Sequence, residues 1–199
     1  MNELTAEAWE QRYQEQRDPW DLGHPAPPFV SLLSSANAPQ PGKVAVLGAG
    51  AGHDALLLAA SGFEVTGFDF APTAIARATA NAQAKQLSAQ FLQRNIFDLA
   101  TEFPSSFDYI LEHTCFCALD PQLRPQYVQL ATKILRPKAQ LIALFFTHQR
   151  VGGPPFGIQP PEIKELFSPY FDFVRFEIAQ DSILRRQGEE HLAILQLKS

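Results

Sequence analysis

Lys43-Val44-Ala45-Val46-Leu47-Gly48-Ala49-Gly50-Ala51-Gly52-His53-Asp54 is the stretch from which the fold of this chain is read. A short aliphatic run feeds a glycine-rich turn, and the turn opens into the apolar stretch Ala55-Leu56-Leu57-Leu58-Ala59-Ala60. The pattern is that of a buried strand, a sharp turn and a helix. Glycine suits the turn because its missing Cβ permits the bend and lets a ligand approach the backbone. The expectation is an α/β unit that binds a ligand at the carboxyl edge of a sheet.

Reading outward, Phe63-Glu64-Val65-Thr66-Gly67-Phe68-Asp69 forms a second strand that ends on a carboxylate. Nucleotide-binding α/β folds present an acid at that place to the two ribose hydroxyls. A third strand runs into Arg94-Asn95-Ile96-Phe97-Asp98, which suits the flank of an adenine ring, with Asn95 or Asp98 at its edge. Singly, each feature has a plainer reading: Asp69 as a helix cap before Pro72, Phe97 as core. Jointly, three successive strand ends converge on one nucleoside. A dinucleotide fingerprint G-x-G-x-x-G requires a small residue at position 53, which is His53 here. The observed G-x-G-x-G therefore favours S-adenosylmethionine over NAD, and an NAD-dependent oxidoreductase is the distant alternative.

Strand-like runs at 43–48, 63–69, 89–93, 107–112 and 139–147 alternate with helical stretches, which predicts a mostly parallel, doubly wound sheet. Pro72, Pro121 and Pro160-Pro161 mark helix starts, where the missing N–H of proline is tolerated. The segments 171–178 and 191–197 are joined by a stretch too short and polar for a crossover helix, so the chain is expected to end in an antiparallel hairpin. Residues 1–36, with Trp9 and Tyr13 one helical turn apart and then Asp18-Pro19-Trp20-Asp21, read as a helical cap. The expectation is a single domain over 1–199.

The 199 residues carry a net charge of -5, which disfavours a nucleic-acid partner. No apolar run reaches the roughly 18 residues that span a bilayer, and the N-terminus lacks secretory-signal character. Cys115 and Cys117 stand too close for ordinary disulfide geometry. Together these point to a cytoplasmic protein with no membrane partner, acting on a small molecule; the oligomeric state is left open, with a monomer favoured.

The chain resembles the thiopurine S-methyltransferase family, nearest to its halide, thiocyanate and thiol methyltransferase branch. The matching segments are Trp9-x-x-x-Tyr13, Pro19-Trp20-Asp21-x-Gly23, Leu47-Gly48-x-Gly50-x-Gly52-x-Asp54, Gly67-x-Asp69, Glu112-His113-Thr114-Cys115-Phe116-Cys117-Ala118-Leu119, Arg124-x-x-Tyr127 and Gly152-Gly153-Pro154-Pro155-Phe156. The resemblance implies a Rossmann-like class I methyltransferase in which Trp9, Tyr13 and Trp20 close over S-adenosylmethionine. Gly48, Asp69, Asn95, Ile96 and His113 hold the donor from the sheet side, with Gly50, Gly52, Phe70 and Glu112 completing its site. Tyr13 stands where that branch often has Trp, and His113 where it often has Tyr.

Methyl transfer from a sulfonium is an in-line displacement, so alignment and exclusion of water matter most. Aromatic walls from Trp9, Tyr13, Trp20, Phe116 and Phe156 suit the sulfonium charge, and no acid–base residue is indispensable for a soft anion. His113, at the end of the fourth strand, is the best candidate base if one acts; packing or cofactor contact is its plainer role. Glu112 either binds the donor's amino group or caps a turn. A metal site from His113, Cys115, Cys117 and His148 is disfavoured because C-x-C lacks the usual spacing. Pro154-Pro155-Phe156 reads as a rigid lid or an ordinary proline-rich loop, Arg185-Arg186 as a solvated turn, and Arg124 with Tyr127 as helix-surface packing, with reach to an anionic acceptor as the alternative. A binding protein that senses S-adenosylmethionine without transferring the methyl group is the competing reading.

Overall fold

β1 (Lys43–Leu47) is buried at all but its first residue in the computed structural model, which describes residues 4–199. The first three residues of the expected cap lie outside that range. The chain divides into two compact units, Met1–Ile96 and Phe97–Ser199.

In the first unit, β2 (Glu64–Asp69) pairs in parallel with β1 from Lys43↔Glu64 to Leu47↔Phe68. β3 (Gln90–Gln93) pairs in parallel with β2 from Thr66↔Gln90 to Asp69↔Gln93. The near-continuous apolar run of β1 follows from burial on both faces. Ahead of β1 lie α1 (Ala6–Gln14), whose first turn is capped by Thr5 Oγ1 accepting from the Ala8 N–H at 3.2 Å, and α2 (Pro27–Leu33). α3 (His53–Ala60) and α4 (Pro72–Ala84) follow β1 and β2. Gly67 of β2 makes room for a neighbour, since a Cβ there would stand 2.6 Å from the Phe91 ring.

The second unit carries β4 (Phe107–His113), β5 (Leu135–Phe146), β6 (Phe171–Ile178) and β7 (Glu190–Leu197), in the order β4-β5-β7-β6. β4 and β5 are parallel, whereas β7 runs antiparallel to both β5 and β6. The helices are the one-turn α5 (Leu99–Glu102), α6 (Arg124–Ile134) and α7 (Pro160–Phe167). Its core is an aromatic chain: Phe116 meets Tyr127, Phe145 and Phe167 with ring centroids 5.2 to 5.7 Å apart, and Phe171 continues the chain at 5.9 Å from Phe167. Tilted and edge-on arrangements at these separations are the favoured ones for aromatic pairs.

The expected class is found: a seven-stranded, mostly parallel sheet ending in an antiparallel hairpin. One boundary differs by more than a residue. β5 starts at Leu135 rather than at 139, because Leu135 pairs with Phe107 before a register shift that includes left-handed Lys138. Pro137 and Lys138 look like a break in sequence, yet the buried Leu135 and the Arg136–Asp108 pair at 2.7 Å hold the strand start in place. Among the described residues no helix is long and apolar enough to cross a membrane.

Candidate functional site

The glycine loop of the first unit takes a left-handed backbone at Gly48, Gly50 and Gly52, with φ of 62°, 53° and 81°. The glycines do different things. A Cβ on Gly52 would stand 3.0 Å from both the Ala78 methyl and the Phe91 ring, so this glycine serves close packing of α3 against its neighbours. A Cβ on Gly50 would stand 3.3 Å from the Tyr13 hydroxyl, which places that hydroxyl directly over the loop.

Asp69 ends β2 and is buried. Its Oδ2 accepts from the Gly50 N–H and its Oδ1 from the Ala71 N–H, both at 3.0 Å. Burial pushes this carboxyl up, against the opposing effect of the N–H donors of Ala71, Gly50 and Phe70. A carboxylate offers about four lone-pair sites and three N–H donors face this one, which leaves about one site over. Fixing the loop is therefore compatible with accepting from one ribose hydroxyl. The Arg94 N–H donates to the Asp69 carbonyl at 2.9 Å and Gln93 Nε2 to the Phe70 carbonyl at 3.2 Å, which fixes the exit from β3 into exposed Asn95 and buried Ile96.

The cap meets this loop with its aromatic side chains. Trp20 stands edge-on to Trp9 at 5.0 Å and to Tyr13 at 5.6 Å, and its Nε1–H donates to the Tyr13 hydroxyl at 3.2 Å. Burial, with the charge of Asp69, keeps the phenol protonated, so the Tyr13 O–H retains its own proton to donate. Polar bolts hold the cap down. Glu10 accepts from the Thr73 N–H at 3.0 Å and from its hydroxyl, supplying the N-terminus of α4 with the carboxylate that Ala71 lacks. Arg77 reaches Asp18 at 2.7 Å and the Tyr13 carbonyl. His53 Nε2 lies 3.1 Å from Asp21 Oδ1, and Asp54 accepts from the Ala26 N–H at 2.7 Å.

In the second unit, β4 delivers Glu112 and His113 to the edge of the sheet. The chain then turns through Thr114, a β-branched residue at φ 62°, into a short 3-10 turn at Phe116–Ala118. Glu112 is buried, with Oε1 accepting from the Phe116 N–H at 2.8 Å and Oε2 from the Tyr127 hydroxyl at 2.9 Å. Of its two expected roles, this geometry is that of the turn cap. Burial pushes the carboxyl up to about 7, against the pull of those donors. Cys117 donates to the Thr114 carbonyl at 3.4 Å, and burial together with Glu112 pushes its thiol up to about 12.

Arg186 is the residue that the sequence reading missed. The pair Arg185-Arg186 looks like a solvated turn, and Arg185 is exposed, but Arg186 is only 7% exposed. Its Nη1 lies 3.0 Å from His113 Nε2 and 3.1 Å from Glu190 Oε1, with the guanidinium over the Phe146 ring. The one available signal was its position four residues before Glu190 at the mouth of the hairpin. Helix-surface packing for Arg124 and Tyr127 is likewise corrected, since both are buried. Arg124 Nη2 donates to the Phe156 and Gly157 carbonyls at 3.1 Å each, and the Phe156 N–H donates to the Cys117 carbonyl. The Pro154-Pro155-Phe156 segment is thereby pinned to α6 and the β4 turn. Among the described residues no group of three or more His, Cys, Asp or Glu could hold a metal.

The family model for thiopurine S-methyltransferase (TPMT) matches residues 4–198. "Probable thiol methyltransferase 2" of Arabidopsis thaliana is 32% identical over 198 residues, covering 96% of this chain and 85% of the relative. "Thiocyanate methyltransferase 1" of the same plant is 32% identical over 189 residues, covering 92% and 82%. Among solved structures, the Burkholderia thailandensis 1,6-didemethyltoxoflavin-N1-methyltransferase with bound S-adenosylhomocysteine superposes with a TM-score of 0.77 at 20% identity, covering 98% of this chain and 87% of that one.

Proposed function

The chain belongs to the thiopurine S-methyltransferase family and is an S-adenosylmethionine-dependent methyltransferase, and we propose that its acceptor is a small soft nucleophile: a thiol, thiocyanate, a halide or a related selenium compound. Residues 1–199 act as one methyltransferase domain in this reading, which the nearly full-length family match supports.

The residues of the first unit fit the methyl donor. Left-handed glycines open the turn before the N-terminus of α3, Asp69 keeps room to accept from a ribose hydroxyl, and Trp9, Tyr13 and Trp20 offer rings to a sulfonium. S-adenosylmethionine supplies an activated methyl group whose transfer needs no further electrophilic assistance. The protein aligns the acceptor and excludes water.

The observation that carries the acceptor class is that the ionisable groups around the end of β4 are already engaged. Both Glu112 oxygens are taken, the Cys117 thiol is held protonated, and His113 Nε2 faces a guanidinium. Such a site suits nucleophiles that need no help in losing a proton, in keeping with relatives named for thiols and thiocyanate. A net charge of -5 agrees with a small acceptor rather than a nucleic acid, and two free cysteines fit a reducing cytoplasm.

The test is a methyl-transfer screen with S-adenosylmethionine and iodide, thiocyanate, hydrosulfide and a simple alkyl thiol, read by headspace gas chromatography and S-adenosylhomocysteine release. Turnover of at least one is expected. Tight S-adenosylhomocysteine binding with no methylated product from any of them would overturn the acceptor class.

A further inference from the structure

The buried group of His113, Arg186 and Glu190 decides where the proton of the imidazole sits. Guanidinium has only donors and stays charged throughout the working pH range. With Arg186 Nη1 at 3.0 Å, His113 Nε2 must contribute its lone pair, which leaves the ring proton on Nδ1. Glu190 does not reverse this. Its Oε1 lies 3.8 Å from His113 Nε2, beyond hydrogen-bond range, but 3.1 Å from Arg186. A proton added to Nε2 would lose the Arg186 hydrogen bond and set two N–H groups head to head. The repulsion at 3.0 Å also outweighs the attraction at 3.8 Å by about a quarter on distance alone. Further ionisable groups nearby are Glu112 on β4, whose oxygens are engaged by Phe116 and Tyr127, and the buried Cys117 thiol; Ser182 hydrogen-bonds Glu190.

We infer that Arg186, fixed by Glu190, holds His113 as the neutral Nδ1–H tautomer, so that His113 acts as a hydrogen-bond donor and not as a general base. Arg186 is thus a positioning residue that sets substrate class. Resting on the soft-nucleophile reading above, this means that the enzyme methylates acceptors already bearing their reactive lone pair as anions. A thiol first loses its proton to solvent. The thiolate lone pair then forms the new S–CH3 bond as the donor C–S bond breaks, and the electron pair of that bond neutralises the sulfonium.

Two measurements on the full chain test this. Long-range 15N–1H correlation spectra resolve the five histidines, with His113 assigned through His113→Gln. The wild type and Arg186→Lys, whose ammonium also has only donors, are expected to show the Nδ1–H form without titration from pH 6 to 8. Arg186→Met is expected to release the ring to titrate. An Nε2–H or doubly protonated His113 in the wild type at pH 7 overturns the inference, whether or not Arg186→Met folds and whether or not any acceptor is methylated. Second, kcat/KM for a simple thiol is expected to rise tenfold per pH unit up to the thiol's own pKa and then level. Thiocyanate is expected to show no limb that His113→Gln removes. A limb near neutrality that His113→Gln abolishes and Glu112→Gln leaves in place would establish a histidine base instead. Failure of the acceptor screen would overturn the functional reading while the spectra still decide the tautomer.

Discussion

Replacing Glu112 by Gln should make the protein relatively more stable as pH rises. Burial raises the carboxyl from 4.5 to about 7, so between those values the native state holds a proton that the unfolded chain has already released. Stability from this group is therefore fully present below about 4.5 and lost as pH rises through about 7. The displacement of about 2.5 pH units corresponds to roughly 3 kcal/mol. In the Glu112→Gln variant the side-chain amide carries no proton to lose. Its carbonyl can accept from the Phe116 N–H and its amide N–H can donate to the Tyr127 oxygen, which works as donor or acceptor. The assay is urea denaturation of both proteins from pH 5 to pH 8.5, taking the difference in unfolding free energy at each pH. The variant should gain roughly 2.5 kcal/mol on the wild type across that range, the remainder of the effect lying below pH 5. Parallel curves, or a wild type that gains on the variant as pH rises, would refute the placement of a buried, carboxyl-held turn after β4.

Gly52→Ala should destabilise the fold by roughly 2 kcal/mol, because φ is 81° and the new methyl would crowd Ala78 and Phe91; thermal unfolding reads it directly, and an unchanged Tm would contradict the packing described. Tyr13→Phe removes the acceptor of the Trp20 Nε1–H and the hydroxyl above Gly50, so calorimetric titration should show S-adenosylhomocysteine binding weakened by about tenfold, the equivalent of one hydrogen bond of roughly 1.4 kcal/mol. Cys117, buried with its thiol pushed up to about 12, should resist a thiol-selective disulfide reagent at pH 8 in the native protein and react on unfolding; rapid native labelling at Cys117 would show that the turn after β4 is open.

The sheet and the glycine turn were legible because their signals are local. Burial of β1 on both faces imposes a continuous apolar run, the left-handed turn demands glycine at 48, 50 and 52, and prolines at 72 and 160 mark helix starts. What failed were readings that assign a polar residue its surroundings from neighbours in sequence. Arg124 and Tyr127 sit on a helix, and nothing local shows that Phe156, Gly157 and Glu112 converge on them. Glu10 and Thr73 are separated by 63 positions, so a helix cap supplied from another helix has no sequence signature.

Arg186 shows why such a miss matters for function as well as for fold. A guanidinium buried at the carboxyl edge of a sheet carries a desolvation penalty that only good partners offset, and Glu190 and His113 are those partners. Read from sequence, His113 is a histidine at a strand end and the best candidate for a base. Read with Arg186 at 3.0 Å, the same ring is a donor whose accepting nitrogen is already spent. The change of role comes from a residue 73 positions away. It also restricts the chemistry, since in our proposal the state of His113 governs which nucleophiles arrive ready to receive the methyl group.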